Sequence, residues 1–339
     1  MMAEANPQPL LAVENLEVAV AGHPEARILR GVTFAVNRGE TLAIVGESGC
    51  GKSMTSLSVM GLLPAGVEKT GGSLRLDGTE LPITDNRKMR KIRAARIGMV
   101  FQEPMAALNP VFPVGKQVAE VIGEHMSLSR SAARARVLSL LDQVGLPDPE
   151  RIAKSYPHRL SGGQLQRVVI AMALACDPEV IIADEPTTAL DVTVQAQIMR
   201  LLKQLQIDTQ VAIVLVTHNL GLVAHTADRV AVMYGGRKVE EAPTRELFLN
   251  PQHPYTRGLL DATPHPDRQR RGGKLLNEIP GTVPSITDPM PGCRFAPRCA
   301  FAQADCQAAP PPEEGPAGHR VACYHPAAWA AQDKTEAPQ

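Results

Sequence analysis

The sequence carries no excess of charge. Its 35 Lys and Arg residues balance 35 Asp and Glu, so there is no overall basic field of the kind that draws a protein onto nucleic acid. It also lacks long apolar runs. Nothing approaches the roughly 18–20 consecutive apolar residues of a bilayer-spanning helix; the longest runs, 168–176 and 211–216, suit buried helices or strands. Met1 to Pro9 shows no basic stretch followed by an apolar one, so no secretory leader is expected there. If the protein works at a membrane, something else must anchor it. Cysteine is nearly missing from the first four-fifths, which hold only Cys50 and Cys176. The other four, Cys293, Cys299, Cys306 and Cys323, crowd into the last fifth. Without an export leader the expected compartment is reducing, which disfavours disulfides and favours metal binding.

At 339 residues and 44% hydrophobic content, there is room for about two domains and a sizeable core. Residues 10–46 read as β segments ending in the apolar run Thr41-Leu42-Ala43-Ile44-Val45. Residues 52–63 read as a helix closed by Pro64. Further strands are expected at 74–78, with a turn at Asp77-Gly78, and at 97–101. Residues 114–144 carry a helical pattern. The runs 180–183 and 211–217 are continuous apolar strands, as in a parallel sheet covered on both faces. This order argues for an α/β core with a helical insertion. Composition changes near Ala262. The stretch 264–273 reads as a linker, and the residues from Ala328 onward as a loose tail.

Two short stretches carry the chemistry. Gly46-Glu47-Ser48-Gly49-Cys50-Gly51-Lys52-Ser53 follows an apolar strand and opens a helix, the context a phosphate-binding loop needs. Its glycines let backbone N–H groups turn onto phosphate oxygens, and the helix N-terminus adds its dipole. Lys52 would neutralise β/γ-phosphate charge, Ser53 would ligate Mg²⁺, and Met54 continues the loop into the helix. Asp184-Glu185 ends the strand 180–183, where ligands bind in open parallel sheets. Asp184 would hold Mg²⁺ and Glu185 would act as general base on the attacking water. Gln102, after the strand 97–101, could reach Mg²⁺ and that water. His218, after 211–217, could contact the γ-phosphate. The second stretch is Leu160-Ser161-Gly162-Gly163-Gln164, with glycines at a helix start.

With these motifs in this order, residues 10–260 resemble an ATP-binding cassette (ABC) ATPase subunit. The resemblance implies a P-loop NTPase cassette with a RecA-like core, an antiparallel β subdomain and a helical subdomain at about 103–160. It implies that Ser161, Gly162, Gly163 and Gln164 contact the γ-phosphate held by a second cassette, with Asp191 of the Ala189-Leu190-Asp191 loop at the same interface. One departure is plain: the family usually places an adenine-stacking aromatic 20–25 positions before the P-loop. Here 17–27 has no Phe, Tyr or Trp, and Val20 or Ala21 stands in its place.

The stretches Gln102-Glu103-Pro104-Met105-Ala106-Ala107-Leu108-Asn109-Pro110, Asn250-Pro251-Gln252-His253-Pro254-Tyr255-Thr256-Arg257-Gly258, Ile279-Pro280-Gly281-Thr282-Val283-Pro284-Ser285 and Gly292-Cys293-Arg294-Phe295-Ala296-Pro297-Arg298-Cys299 resemble the ATPase subunits of bacterial oligopeptide/dipeptide importers. That resemblance implies a cassette over 10–262 and a cysteine-bearing C-terminal extension over 263–327. It implies two integral-membrane permease subunits, a second ATPase subunit, an extracytoplasmic solute-binding protein, no nucleic acid, and a peripheral place on the cytoplasmic face of the membrane. A nickel chelate, opine or glycoside stays open as cargo, and a soluble non-transport ATPase is the competing class. The segment after Gln102 would receive a permease helix; Val111-Phe112-Pro113 supplies apolar surface there or core. Cys293, Cys299, Cys306 and Cys323, separated by five, six and sixteen residues, suit a cysteine-only iron–sulfur site or structural zinc. The resemblance favours a [4Fe–4S] cluster, with zinc the alternative. His319 and His325 read as structural or solvated rather than as ligands.

Overall fold

The computed structural model describes residues 8–188, 190–263, 278–288, 290–316 and 318–329. Ala189 and the linker expected at 264–273 lie outside these. The chain opens with two antiparallel strands, β1 (Leu11–Val20) and β2 (His23–Val36), followed by β3 (Thr41–Val45) and helix α1 (Lys52–Met60). The helix stops before the expected Leu63 because Gly61 takes a left-handed backbone (φ +60°) and donates to the carbonyls of Leu57 and Ser58. Glycine carries that cap without steric cost; Pro64 merely follows. Next come β4 (Val67–Leu76) and β5 (Thr79–Glu80). They are joined by Asp77 and Gly78, both at positive φ, as a tight hairpin turn requires.

After α2 (Asn86–Arg90) and β6 (Ile97–Val100) the chain enters the helical insertion: α3 (Pro104–Ala107), α4 (Val114–His125), α5 (Arg130–Gln143) and α6 (Pro149–Lys154). The helical pattern over 114–144 is thus two helices. Ser129 breaks it by accepting a hydrogen bond from the Ala132 N–H, capping α5. Then follow α7 (Gly162–Ala173), β7 (Val180–Asp184), α8 (Val192–Thr209), β8 (Ala212–Thr217), α9 (Leu220–Val223), β9 (Arg229–Tyr234), β10 (Arg237–Pro243), α10 (Thr244–Leu249) and α11 (Pro254–Ala262). The last elements are α12 (Asp305–Ala308) and β11 (Arg320–Val321).

Two sheets result. One is antiparallel, in the order β2-β1-β4-β5. The other runs β11-β10-β9-β3-β8-β7-β6, parallel from β6 to β9 and antiparallel beyond. Strands β7 and β8 are buried on both faces, and the period of two sorts their side chains. Ile181, Ala183, Ile213 and Leu215 pack into the core of the helical insertion. Val180, Ile182, Ala212, Val214 and Val216 pack toward the antiparallel sheet. A third core joins Val45 and Val232 to Leu247, Tyr255 and Phe295. The RecA-like core, antiparallel subdomain and helical subdomain expected from the sequence are therefore all present. The cysteine-bearing segment is folded onto the main sheet: β11 extends it at β10, with Glu240 opposite Val321.

Candidate active site

The C-terminal ends of β3, β7 and β8 lie side by side, because β3 pairs with β8 and β8 with β7. From β3 the chain turns at Gly46 (φ +153°), where a Cβ would fall 2.2 Å from the Met233 carbonyl oxygen. Gly49 and Gly51 also have positive φ, and Gly51 caps α1. Lys52, 5% exposed, folds back over the loop, donating from Nζ to the carbonyls of Gly46 (2.8 Å) and Glu47 (3.0 Å). Cys50 is fully buried, and burial raises its thiol pKa against the pull of Lys52; it is packing, not a nucleophile.

Opposite the loop, Ser53 Oγ donates to Asp184 Oδ1 (3.2 Å). Burial pushes the Asp184 carboxyl above its ordinary value, opposed by that hydrogen bond. A hydroxyl and a buried carboxylate form the hard-oxygen donor set of Mg²⁺, so these residues fit the expected ion. Glu185 follows at φ +45°, an unusual backbone for a non-glycine residue. Its carboxylate accepts from Gln102 Nε2 (3.1 Å) and Thr188 Oγ1 (2.9 Å) and lies 3.2 Å from His218 Nδ1. Burial raises its pKa, but the hydrogen bonds from His218 and Thr188 outweigh that, and the net shift is downward. Thr188 escaped sequence reading because a threonine three residues after an acid carries no pattern of its own.

The second motif sits apart. Ser161 caps α7, its hydroxyl accepting from the Gln164 N–H while Gln164 Oε1 accepts from the Ser161 N–H (3.3 and 3.0 Å). This reciprocal box satisfies two helix-start amides. Among the described residues, its side-chain hydrogen bonds run within the box rather than to the loop at 46–53. Asp191 caps α8 through the Val194 N–H (2.9 Å). Gly163 faces Val194 so closely that a Cβ would lie 2.8 Å from Cγ1. Ser161, Gly162 and Asp191 are exposed. So the structure gathers Lys52, Ser53, Gln102, Asp184, Glu185 and His218 in one place, and presents Ser161, Gly162, Gly163, Gln164 and Asp191 in another. Phe101, just before Gln102, and Met105, Val111 and Phe112 after it are exposed, so Val111-Phe112 is surface rather than core.

Cys293, Cys299, Cys306 and Cys323 line one cavity with His253, Phe295 and Phe301. All are free thiols. Burial raises the pKa of Cys293 and Cys299, and pushes Cys323 up to about 12. His253 is 1% exposed. Its Nδ1 accepts from the Tyr255 N–H (3.0 Å) and burial pulls its pKa down to about 3. The ring is therefore neutral with its proton on Nε2, and Nε2 has no hydrogen-bond partner among the described residues. His319 and His325 pair with Glu240 (2.8 Å) and Asp305 (2.9 Å). One trio of possible ligand atoms, from Asp305, Cys306 and His325, lies within 4.8 Å of one another.

Residues 29–188 match the ABC transporter family, and residues 239–306 match the C-terminal region of oligopeptide/dipeptide transporters. A probable peptide ABC transporter ATP-binding protein of Sinorhizobium fredii is 49% identical, covering 96% of this chain and 98% of its own. This chain belongs to the ABC transporter ATP-binding proteins. Other ABC relatives include the dipeptide transport ATP-binding protein DppD of Bacillus subtilis, 51% identical over 86% of this chain and 87% of its own. The oligopeptide transport ATP-binding protein OppD of the same organism is 48% identical over 89% and 85%. Among solved ABC structures, cbiO1 of Clostridium perfringens, part of the ABC transporter complex cbiONQ, superposes with a TM-score of 0.63 at 31% identity, covering 71% of this chain and 90% of its own. A cassette solved as a post-hydrolysis dimer with ADP and Pi gives 0.60 at 30%, over 69% and 99%.

Proposed function

We propose that this chain is the ATP-hydrolysing subunit of an importer of di- and oligopeptides, working through separate permease subunits at the cytoplasmic face of a membrane. What supports the reading most is the setting of Glu185: a carboxylate at the end of β7, held by Gln102, Thr188 and His218, beside the Ser53–Asp184 pair. The peptide-transporter C-terminal region supports the cargo class. In this reading residues 10–262 form the cassette and 263–327 the extension. No helix among the described residues is long and apolar enough to cross a membrane; in this reading the permeases form the path through it.

Gly46, Glu47, Ser48, Gly49, Cys50, Gly51, Lys52, Ser53 and Met54 receive the ATP phosphates. Lys52 exchanges its two carbonyl acceptors for phosphate oxygens. Ser53, Asp184 and Gln102 would hold Mg²⁺, which when bound would supply charge neutralisation. Water attacks the γ-phosphorus, the bond to the ADP oxygen breaks, and Glu185 takes the water proton. Ser161, Gly162, Gly163, Gln164 and Asp191 complete the site of a second cassette, so ATP binds two subunits together and hydrolysis parts them. A solute-binding protein delivers cargo on the far side. Affinity purification of the tagged full-length chain from native membranes, followed by mass spectrometry, tests this. Recovery of two polytopic permease proteins supports transport; ribosomal proteins or no partner would favour a soluble ATPase.

The four clustered cysteines are assigned here to a [4Fe–4S] cluster. Four free thiols on one cavity and the unpartnered Nε2–H of His253, a donor for sulfide or thiolate, support that assignment. Zinc needs thiolates about 2.3 Å from one ion, and the tight trio at 305, 306 and 325 contains just one of the four cysteines. Bound, a cluster supplies one-electron chemistry and ties its loops together. Anaerobic purification with iron and sulfide assays decides: zinc without iron overturns it.

A further inference from the structure

The second residue of the phosphate-binding loop is gripped from the far end of the chain. The Glu47 N–H donates to Tyr255 Oη (2.8 Å). Its carboxylate receives both terminal nitrogens of Arg298, Nη1 to Oε2 at 2.6 Å and Nη2 to Oε1 at 3.0 Å. Such a two-point fork fixes direction as well as distance. The Arg298 side chain is 4% exposed, and its remaining donors are used: Nε to the Pro280 carbonyl (2.7 Å), Nη2 to the Ile279 carbonyl (3.1 Å) and Nη1 to Tyr234 Oη (3.3 Å). Tyr234 and Tyr255 pack edge to face, ring centroids 4.6 Å apart. The clamp is itself rigidly mounted.

On the loop side, the Glu47 carbonyl accepts from Lys52 Nζ. One residue thus meets Tyr255 through its amide, Arg298 through its carboxylate and the phosphate-binding lysine through its carbonyl. The loop has little packing of its own here: Ser48 and Gly49 are exposed. A loop built on three positive-φ glycines gains its geometry from whatever holds it. We propose that Arg298 and Tyr255 are positioning residues for ATP: through Glu47 they hold the loop backbone, and with it the amides that receive phosphate, in the binding arrangement, so the C-terminal segment is part of the nucleotide site. This rests on the nucleotide reading of the loop and not on the metal reading of the cysteines. Those cysteines are nonetheless adjacent, since Arg298 precedes Cys299 and Tyr255 follows the cavity-lining His253 by two positions.

The test uses the purified full-length chain, a fluorescent ATP analogue and Mg²⁺, with ATPase kinetics of the assembled transporter as a second readout. Arg298→Gln should weaken ATP binding about tenfold and raise KM in parallel, leaving kcat at saturating ATP within about threefold. Arg298→Lys, which keeps the charge but loses the fork, should recover part of the loss. Glu47→Gln combined with Arg298→Gln should be no worse than the poorer single variant, because the two act as one unit. An Arg298→Gln protein that binds ATP within twofold of wild type, or a double variant whose loss is the product of the singles, overturns the proposal. Should Arg298→Gln fail to fold, Tyr255→Phe carries the test: it must bind ATP more weakly, and unchanged affinity in the folded variant overturns the clamp. Lys52→Ala separates the layers. If it binds ATP normally, the nucleotide reading fails; if it alone loses binding, only the clamp fails.

Discussion

Glu185 and His218 meet across the ends of neighbouring strands β7 and β8, Oε1 to Nδ1 at 3.2 Å, yet the imidazole is 62% exposed and the carboxylate 15%. The acid is fixed and the ring is free to leave. Gln102 and Thr188 hold the other oxygen. The carboxylate is thereby aimed before any substrate arrives, and His218 is the partner that can turn to a phosphate without disturbing it.

Glu185→Gln keeps the shape and removes the basicity. Phosphate release should fall about 10²–10⁴-fold, the usual span for a lost general base. ATP binding should persist, and size-exclusion chromatography in ATP should show a longer-lived paired species. Undiminished phosphate release would remove Glu185 from that role.

The depressed pKa of Glu185 has a consequence for pH. A carboxylate whose folded pKa lies below its unfolded one stabilises the fold above the unfolded value, and loses that contribution as pH falls through the folded value. Removing donors reverses the balance, because burial alone raises the pKa. Thr188→Val and His218→Ala should therefore each move the acid limb of the pH–rate profile upward, measurable as log(kcat/KM) between pH 4 and 8.

Gly46→Ala places a Cβ 2.2 Å from the Met233 carbonyl oxygen at φ +153°. Left-handed strain and overpacking together should cost about 2–5 kcal/mol. Thermal melting without nucleotide should show the loss, and ATP binding should go with it.

Ser161→Ala removes one half of the α7 capping box. Loss of the cap should cost about 0.5–2 kcal/mol in the isolated chain, readable by denaturant unfolding. If, as proposed, the same hydroxyl completes the partner's nucleotide site, ATPase activity of the assembled transporter should fall much further than that stability change accounts for.

Thiols as depressed in acidity as Cys323, pushed up to about 12, stay protonated at neutral pH unless a metal claims them. Metal-stripped protein should alkylate slowly with iodoacetamide at pH 7–8, and reloading with iron and sulfide should release protons into a weakly buffered solution.

The strands β3, β7 and β8 and the loop at 46–53 were legible because each is a local signal: an apolar run of strand length, or glycines spaced around a lysine. The helix ends were less so. Gly61 ends α1 by a backbone twist that outruns the periodic pattern, and Ser129 divides 114–144 where hydropathy runs on. The stretches 250–258 and 292–299 stood out by resemblance, but nothing in them paired Tyr255 or Arg298 with Glu47. Arg298 lies 251 positions away, and one buried arginine looks like any surface arginine until the fold brings its carboxylate to it. His253 was hidden for the same reason, as its unpartnered nitrogen exists only once Tyr255 has taken the other one.

That distance along the chain also orders events during synthesis. At about 5–20 residues per second, roughly 10–50 s separate the appearance of Glu47 from that of Arg298, 251 positions later. The edge of β10 waits longer still for β11. A nascent cassette on the ribosome therefore has its glycine loop well before it has the residue that steadies it. A chain cut short by a premature stop near residue 262 would expose an unpaired strand edge, a recognisable target for quality control.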